Sequence, residues 1–145
     1  MSKIIPIGAD HAGFELKKEV ISWLQENGYE VKDFGCYSEA SIDYADYGHP
    51  VAEFVEANPT TWGIVICGSG NGINMTVNKH QGIRAALCWK KEIAQLAREH
   101  NDANILTLPA RFISVEEALE MVAVFSSTEF EGGRHQNRID KIPCN

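Results

Sequence analysis

Gly63-Ile64-Val65-Ile66-Cys67 is an unbroken apolar run that leads straight into Gly68-Ser69-Gly70-Asn71-Gly72. A strand with apolar residues at every position, rather than at alternate ones, has both faces covered, which is the habit of an inner strand in a parallel sheet. The glycine-rich turn after it opens the next element, read as a helix over Gly72–Asn78.

Working outward, the same alternation repeats on both sides. Lys3–Gly8 reads as a strand. Gly13–Asn27 places Leu16, Val20, Trp23 and Leu24 at helical spacing before Gly28 ends the helix. Glu30–Phe34 follows as a strand and Pro50–Asn58 as a helix. Beyond the central run come a strand over Ile83–Cys88, a helix over Lys90–His100 and a strand over Asn104–Leu108. A last helix spans Ser114–Ser127, begun by a capping box of Ser114 and Glu117. Strictly alternating strands and helices predict an α/β fold, a five-stranded parallel sheet with helices on both faces. Ligands of such sheets bind beyond the carboxyl ends of the strands, where strand order reverses. The segments placed there are Ala9–Gly13, Gly68–Gly72, Trp89–Lys91 and Pro109–Phe112.

Composition narrows the classes. The chain has 145 residues, 44% of them hydrophobic and 23% charged, which predicts one domain over residues 1–145. A net charge of −7 argues against non-specific nucleic-acid binding, although a local arginine cluster can still hold a small anion. No apolar run reaches the length of a membrane span, and Met1–Gly8 reads as a strand rather than a signal segment. Cys36, Cys67, Cys88 and Cys144 lack C-x-x-C spacing, so free thiols in a reducing, cytoplasmic setting are expected.

Each candidate residue has a plain structural reading beside a chemical one. Cys67 is either a buried apolar thiol before a tight turn or a reactive group beside a nest of backbone N–H donors. The turn is no dinucleotide fingerprint, because Ile73 stands where G-x-G-x-x-G needs glycine, and G-K-[ST] of a nucleotide P-loop is absent. Asp10 either caps the following helix or, with His11, meets a polyhydroxylated ligand. His100 stands at a helix end, where histidines often satisfy carbonyls. Arg134 and Arg138 lie four residues apart on one helix face, and with Arg111 they are candidates to grip a phosphate.

The motifs G-x-D-H-x-G-F, C-G-S-G-N-G, G-I-R-A, H-N-D-x-N and E-G-G-R-H-x-x-R occur in this order over residues 8 to 138. In these the chain resembles the ribose-5-phosphate isomerase B family, which includes galactose-6-phosphate isomerase subunits. The resemblance implies a Rossmann-like α/β/α sandwich and an aldose–ketose isomerase of the pentose phosphate pathway, acting without metal or other cofactor. It implies a homodimer or homotetramer with shared active sites, and no nucleic-acid or membrane partner. Asp10, His11, Tyr44, Cys67 and the loop of Gly68, Ser69, Gly70, Asn71 and Gly72 would come from one chain. His100, Asn101, Arg111, Arg134 and Arg138 would come from its neighbour, on which segment 128–145 would pack, and His135 would help to hold the phosphate.

The family divides by base, some members using a cysteine at position 67 and others a glutamate at position 73. Cys67 with Ile73 resembles the cysteine type. The implied mechanism opens the sugar ring with His100 aided by Asp10, then moves a proton from C2 to C1 with the Cys67 thiolate. Gly68–Gly72 and Asn101 would hold the enediolate, with Ser69 as hydroxyl shuttle. Pro109 departs from the glycine expected before Arg111. Alternatives are another sugar phosphate (allose 6-phosphate, galactose 6-phosphate or a tetrose phosphate) or a non-catalytic sugar-phosphate-binding module.

Overall fold

The computed structural model describes residues 3–144. Five strands form one sheet: β1 (Ile4–Ala9), β2 (Glu30–Asp33), β3 (Gly63–Cys67), β4 (Ala85–Leu87) and β5 (Ile105–Pro109). All pairings are parallel and the order is β2-β1-β3-β5-β4. The helices are α1 (Phe14–Glu26), α2 (Tyr44–Ala57), α3 (Asn71–Val77), α4 (Lys91–Asn101), α5 (Val115–Ser127) and α6 (Arg134–Ile139), with a 3-10 turn at His11–Gly13.

The alternation of side chains along a strand sorts the core onto two faces. Ile64 and Ile66 point to one, packing with Leu16, Val20 and Leu24 of α1, Ala94 and Ala97 of α4 and Met121, Val122 and Phe125 of α5. Val65 and Cys67 point to the other, with Val51, Ala52 and Val55 of α2 and Ile73 and Val77 of α3. Every residue of β3 is buried, as its apolar run requires. Thr107, fully buried on β5, keeps its hydroxyl satisfied by donating to Asn74 Oδ1 at 2.7 Å.

One element begins well before its expected start. The helix expected over Pro50–Asn58 starts instead at Tyr44 and carries Pro50 inside. The proline removes the bond its N–H would make to the Asp46 carbonyl. Burial of Gly48, Val51, Ala52 and Val55 along one side holds the helix through that break. The extension matters because it delivers Tyr44 to the ligand end of the sheet.

Lys17 is 2% exposed, on the side of α1 that also buries Leu16, Val20 and Leu24. Its ammonium lies 2.7 Å from both oxygens of Asp33, so the buried charge is paired. Asp33 Oδ1 also accepts the Gly35 N–H at 2.8 Å, and Gly35 and Cys36 extend the pairing beside Ala9. The β2–α2 loop is thereby fastened over the end of β1.

Candidate active site

β1 and β3 are neighbours, yet the chain goes from β1 to β2 on one side and from β3 to edge strand β4 and back to β5 on the other. Their carboxyl ends flank the point where strand order reverses. A cavity of about 420 Å³ opens there, lined by Asp10, His11, Ala12, Tyr44, Cys67, Gly68, Ser69, Gly72, Arg111 and Phe112. A larger groove of about 510 Å³ lies beside β4, but Leu87, Ile93, Leu96 and Ile142 dominate it, and of the proposed site residues it holds Asn101 alone. Chemistry belongs to the smaller space.

Each lining side chain has a local reason for its position. Asp10 is 7% exposed, and its Oδ1 accepts the N–H groups of Ala12 at 3.0 Å and Gly13 at 3.3 Å. It caps the 3-10 turn and also faces the cavity, so both readings of Asp10 hold together. His11 Nδ1 accepts the Ile42 N–H at 3.2 Å. A nitrogen that accepts is unprotonated, so neutral His11 carries its proton on Nε2 and is a hydrogen-bond donor there.

Cys67, 4% exposed, ends β3, and its carbonyl accepts from Ala110 N–H at 2.9 Å. Gly68 O accepts from Arg111 N–H at 3.0 Å, so the turns after β3 and β5 are stitched together. Pro109 is the last residue of β5, opposite Cys67, and Arg111 remains at the ligand edge despite it. The Arg111 guanidinium packs against the glycine loop, since a Cβ added at Gly68 would sit 3.1 Å from Nη1.

Two of the loop glycines are sterically required. Gly70 adopts φ 79°, and a Cβ there would approach Leu87 Cδ1 to 2.4 Å. A Cβ at Gly72 would fall 2.4 to 2.7 Å from the Tyr44 ring, so the phenol packs directly on the glycine backbone. Ser69 lines the cavity, and its hydroxyl accepts the Asn71 N–H at 3.2 Å. Gly70 and Asn71 shape the turn without lining the cavity.

Arg111 corrects one expectation: it lies in the cavity of its own chain, because the β3–β5 pairing carries the turn after β5 alongside Gly68. His100, Asn101, Arg134, His135 and Arg138 do not line this cavity. They gather at the end of α4 and on α6. Carbonyl satisfaction does not explain His100, since Arg84 Nε donates to Asn101 O and Arg84 Nη2 to Asp102 O, each at 2.9 Å. The His100 ring stacks instead on buried His135, with centroids 4.3 Å apart and planes 13° apart. Arg134 and Arg138 are exposed, and neither they nor Arg111 joins an ion pair among the described residues.

Phe112 and Ala12 line the cavity without having been singled out, though both fall in strand-end segments marked from the sequence. Glu131, beside the Nε2 edges of the two stacked histidines, was also missed. A glutamate before two glycines carries no signal of a partner on another helix.

Fold and cavity define an α/β protein with a thiol, a histidine and an arginine converging at its switch point, the makings of an enzyme for a small polar substrate. Comparison with known proteins makes this specific. Residues 5–142 match the family model described as Ribose/Galactose Isomerase. Ribose-5-phosphate isomerase B of Escherichia coli (strain K12) is 43% identical over 140 residues, covering 97% of this chain and 94% of that protein.

Among solved structures, a ribose 5-phosphate isomerase from Thermotoga maritima superposes with TM-score 0.95 at 48% identity, covering 98% of each chain. Ribose-5-phosphate isomerase B from Mycoplasma genitalium, solved with bound ribulose 5-phosphate, gives TM-score 0.94 at 44% identity, covering 98% of this chain and 95% of that one. The chain belongs to the ribose/galactose isomerase family and is an aldose–ketose isomerase.

Proposed function

We propose that this isomerase interconverts ribose 5-phosphate and ribulose 5-phosphate through an enediolate, with Cys67 as the base that moves the proton between C2 and C1. The observation that carries the base assignment is what else lines the cavity. Asp10 has its Oδ1 engaged by two backbone N–H groups, neutral His11 presents an N–H, and Tyr44 is a phenol. With Asp10 tied to the turn and assigned to ring opening, Cys67 is read as the lining side chain that takes the proton from carbon, as a thiolate. Ile73, fully buried in the same apolar cluster as Cys67, cannot ionise.

The substrate reading is supported by relatives named for ribose 5-phosphate over nearly their full length, one of them with ribulose 5-phosphate bound. His11 Nε2–H and the Arg111 guanidinium supply donors for an anionic oxygen at one end of the cavity. Ser69 and the Gly68–Gly72 turn border the sugar hydroxyls.

In this reading a second chain completes the site. Its His100, aided by Asp10 of the first chain, opens the furanose ring; its Asn101 helps hold the enediolate oxygen; its Arg134, His135 and Arg138 close on the phosphate. Segment 128–145 then packs on the neighbour in a homodimer or homotetramer. Support comes from three exposed or stacked groups, Arg134, Arg138 and His100, which meet no substrate cavity in their own chain. A cytoplasmic setting suits the free Cys36, Cys67, Cys88 and Cys144, and no helix among the described residues is long and apolar enough to cross a membrane.

The test is turnover of ribose 5-phosphate, allose 6-phosphate and galactose 6-phosphate by the purified chain in excess chelator, with ribose 5-phosphate expected to give the highest kcat/KM. Mixing Cys67→Ala with His100→Ala protein should restore about a quarter of wild-type turnover through hybrid dimers holding one intact site. Two inactive parents that stay inactive after exchange of subunits would refute the shared site.

A further inference from the structure

His100, Glu131 and His135 bring three metal-ligating side chains together outside the Cys67 cavity. One ligand atom from each of the three lies within 4.8 Å of the other two. Glu131 Oε1 stands 3.4 Å from His135 Nε2 and 3.8 Å from His100 Nε2. Both distances exceed the roughly 2.7–3.2 Å of a nitrogen–oxygen hydrogen bond, so the carboxylate is not simply bonded to either ring. They lie near about 3.3 Å, the ligand-to-ligand edge of a tetrahedron with metal bonds of about 2.0 Å.

The scaffold around the three groups favours convergence. Glu131 N–H donates to Glu99 O at 3.0 Å, tying the glutamate's loop to the residue before His100. His135 is buried on α6 and supplies a fixed ligand. The parallel stacking aims the two imidazole edges side by side rather than at one point. The His100 side chain, however, is 41% exposed on the last turn of α4 and is free to tilt its lone pair toward the shared centre. Two imidazoles and one carboxylate suit zinc, whereas magnesium and calcium prefer an all-oxygen shell.

We propose that His100 Nε2, Glu131 Oε1 and His135 Nε2 bind one Zn²⁺ ion per chain, with the fourth tetrahedral position open, and that occupancy inhibits the isomerase. Binding follows from the three side chains alone. Inhibition rests on the proposed role of His100 in ring opening, because a nitrogen that ligates zinc cannot carry the proton that opens the sugar.

The experiment uses the full chain with Cys144→Ser, which removes the exposed thiol as a competing ligand. Calorimetric titration with Zn²⁺ should give one site per chain. Glu131→Gln or His135→Ala should weaken it about tenfold or more, and Mg²⁺ should give no comparable heat. Turnover of ribose 5-phosphate should fall with the same zinc midpoint and recover on chelation. Glu131→Gln, fully active without metal, should need about tenfold more zinc for inhibition.

Absence of saturable binding, or equal binding by Glu131→Gln, would overturn the site. Zinc that binds as stated while turnover is untouched would overturn the inhibition and, with it, the role of His100. A chain inactive on ribose 5-phosphate would refute the substrate reading and leave the calorimetry to decide the metal site.

Discussion

The carboxyl ends of β3 and β4 each carry a buried cysteine, and the two thiols occupy very different surroundings. Cys67 ends β3 and lines the 420 Å³ cavity beside a histidine and an arginine. Cys88 follows β4 with no exposed surface, packed in the core, and burial pushes its thiol up to about 12. Such a thiol stays protonated at neutral pH and packs as a small apolar group.

Each cysteine closes a short strand, and the glycine turn after Cys67, which Trp89-Lys90-Lys91 after Cys88 does not match, accounts for part of the difference. Sheet position accounts for the rest. β3 neighbours β1 where the strand order reverses, so loops diverge and leave a space, whereas β4 is an edge strand with β5 as its one sheet neighbour.

Exchanging the two cysteines tests that contrast most severely. Cys67→Ala should cut turnover by about 10²–10⁴-fold with little change in melting temperature. Cys88→Ala should leave turnover unchanged and cost roughly 1 kcal/mol of stability by opening a small cavity in the core. Turnover assays and thermal melts of both proteins check this, and equal activity losses would erase the distinction.

A smaller effect should come from the floor of the site. Gly72→Ala places a methyl group inside contact distance of the Tyr44 ring, so the phenol must move. A drop of about ten- to a hundredfold in kcat/KM is expected, without loss of fold by circular dichroism. Arg111→Lys keeps the charge but loses the two-pronged grip. It should raise KM about tenfold while kcat changes less, as steady-state kinetics would show.

The smallest effect lies away from both strand ends. Glu56 accepts hydrogen bonds from Gly82 N–H at 2.9 Å and from His80 at 3.0 Å, and the Gly82 bond is the main cause holding its carboxyl below the ordinary 4.5. A depressed folded-state value adds stability that is present above the ordinary value and is lost as pH falls through the folded one. Glu56→Gln should therefore lower the melting temperature slightly at pH 7, with the gap closing as pH falls below 4.5, and leave turnover alone.

Much of this was legible in the chain itself. The apolar run through Cys67, followed by glycines, predicts an inner parallel strand with a ligand turn, and the alternation predicts the five-stranded sheet, because both signals are local. Arg111 was misassigned to a neighbouring chain. The resemblance assigned it there, although the strand-end pattern puts Pro109–Phe112 at the same edge as Gly68–Gly72; the pairing of Cys67 with Pro109 fixes it in its own chain. The start of α2 was missed, because tertiary burial carries the helix through Pro50. Lys17 carried a faint signal, since it follows Leu16 on a helix that buries every third or fourth residue, but its partner Asp33 did not.

The most direct test of Cys67 as the base is proton exchange at C2 of the sugar, followed by NMR in D₂O. Wild-type protein incubated with ribose 5-phosphate should form ribulose 5-phosphate carrying deuterium at C1, and the returning ribose 5-phosphate should carry deuterium at C2. Cys67→Ala, folded and able to bind the sugar phosphate, should show neither product nor exchange. Exchange at the wild-type rate by Cys67→Ala would show that another group takes the proton.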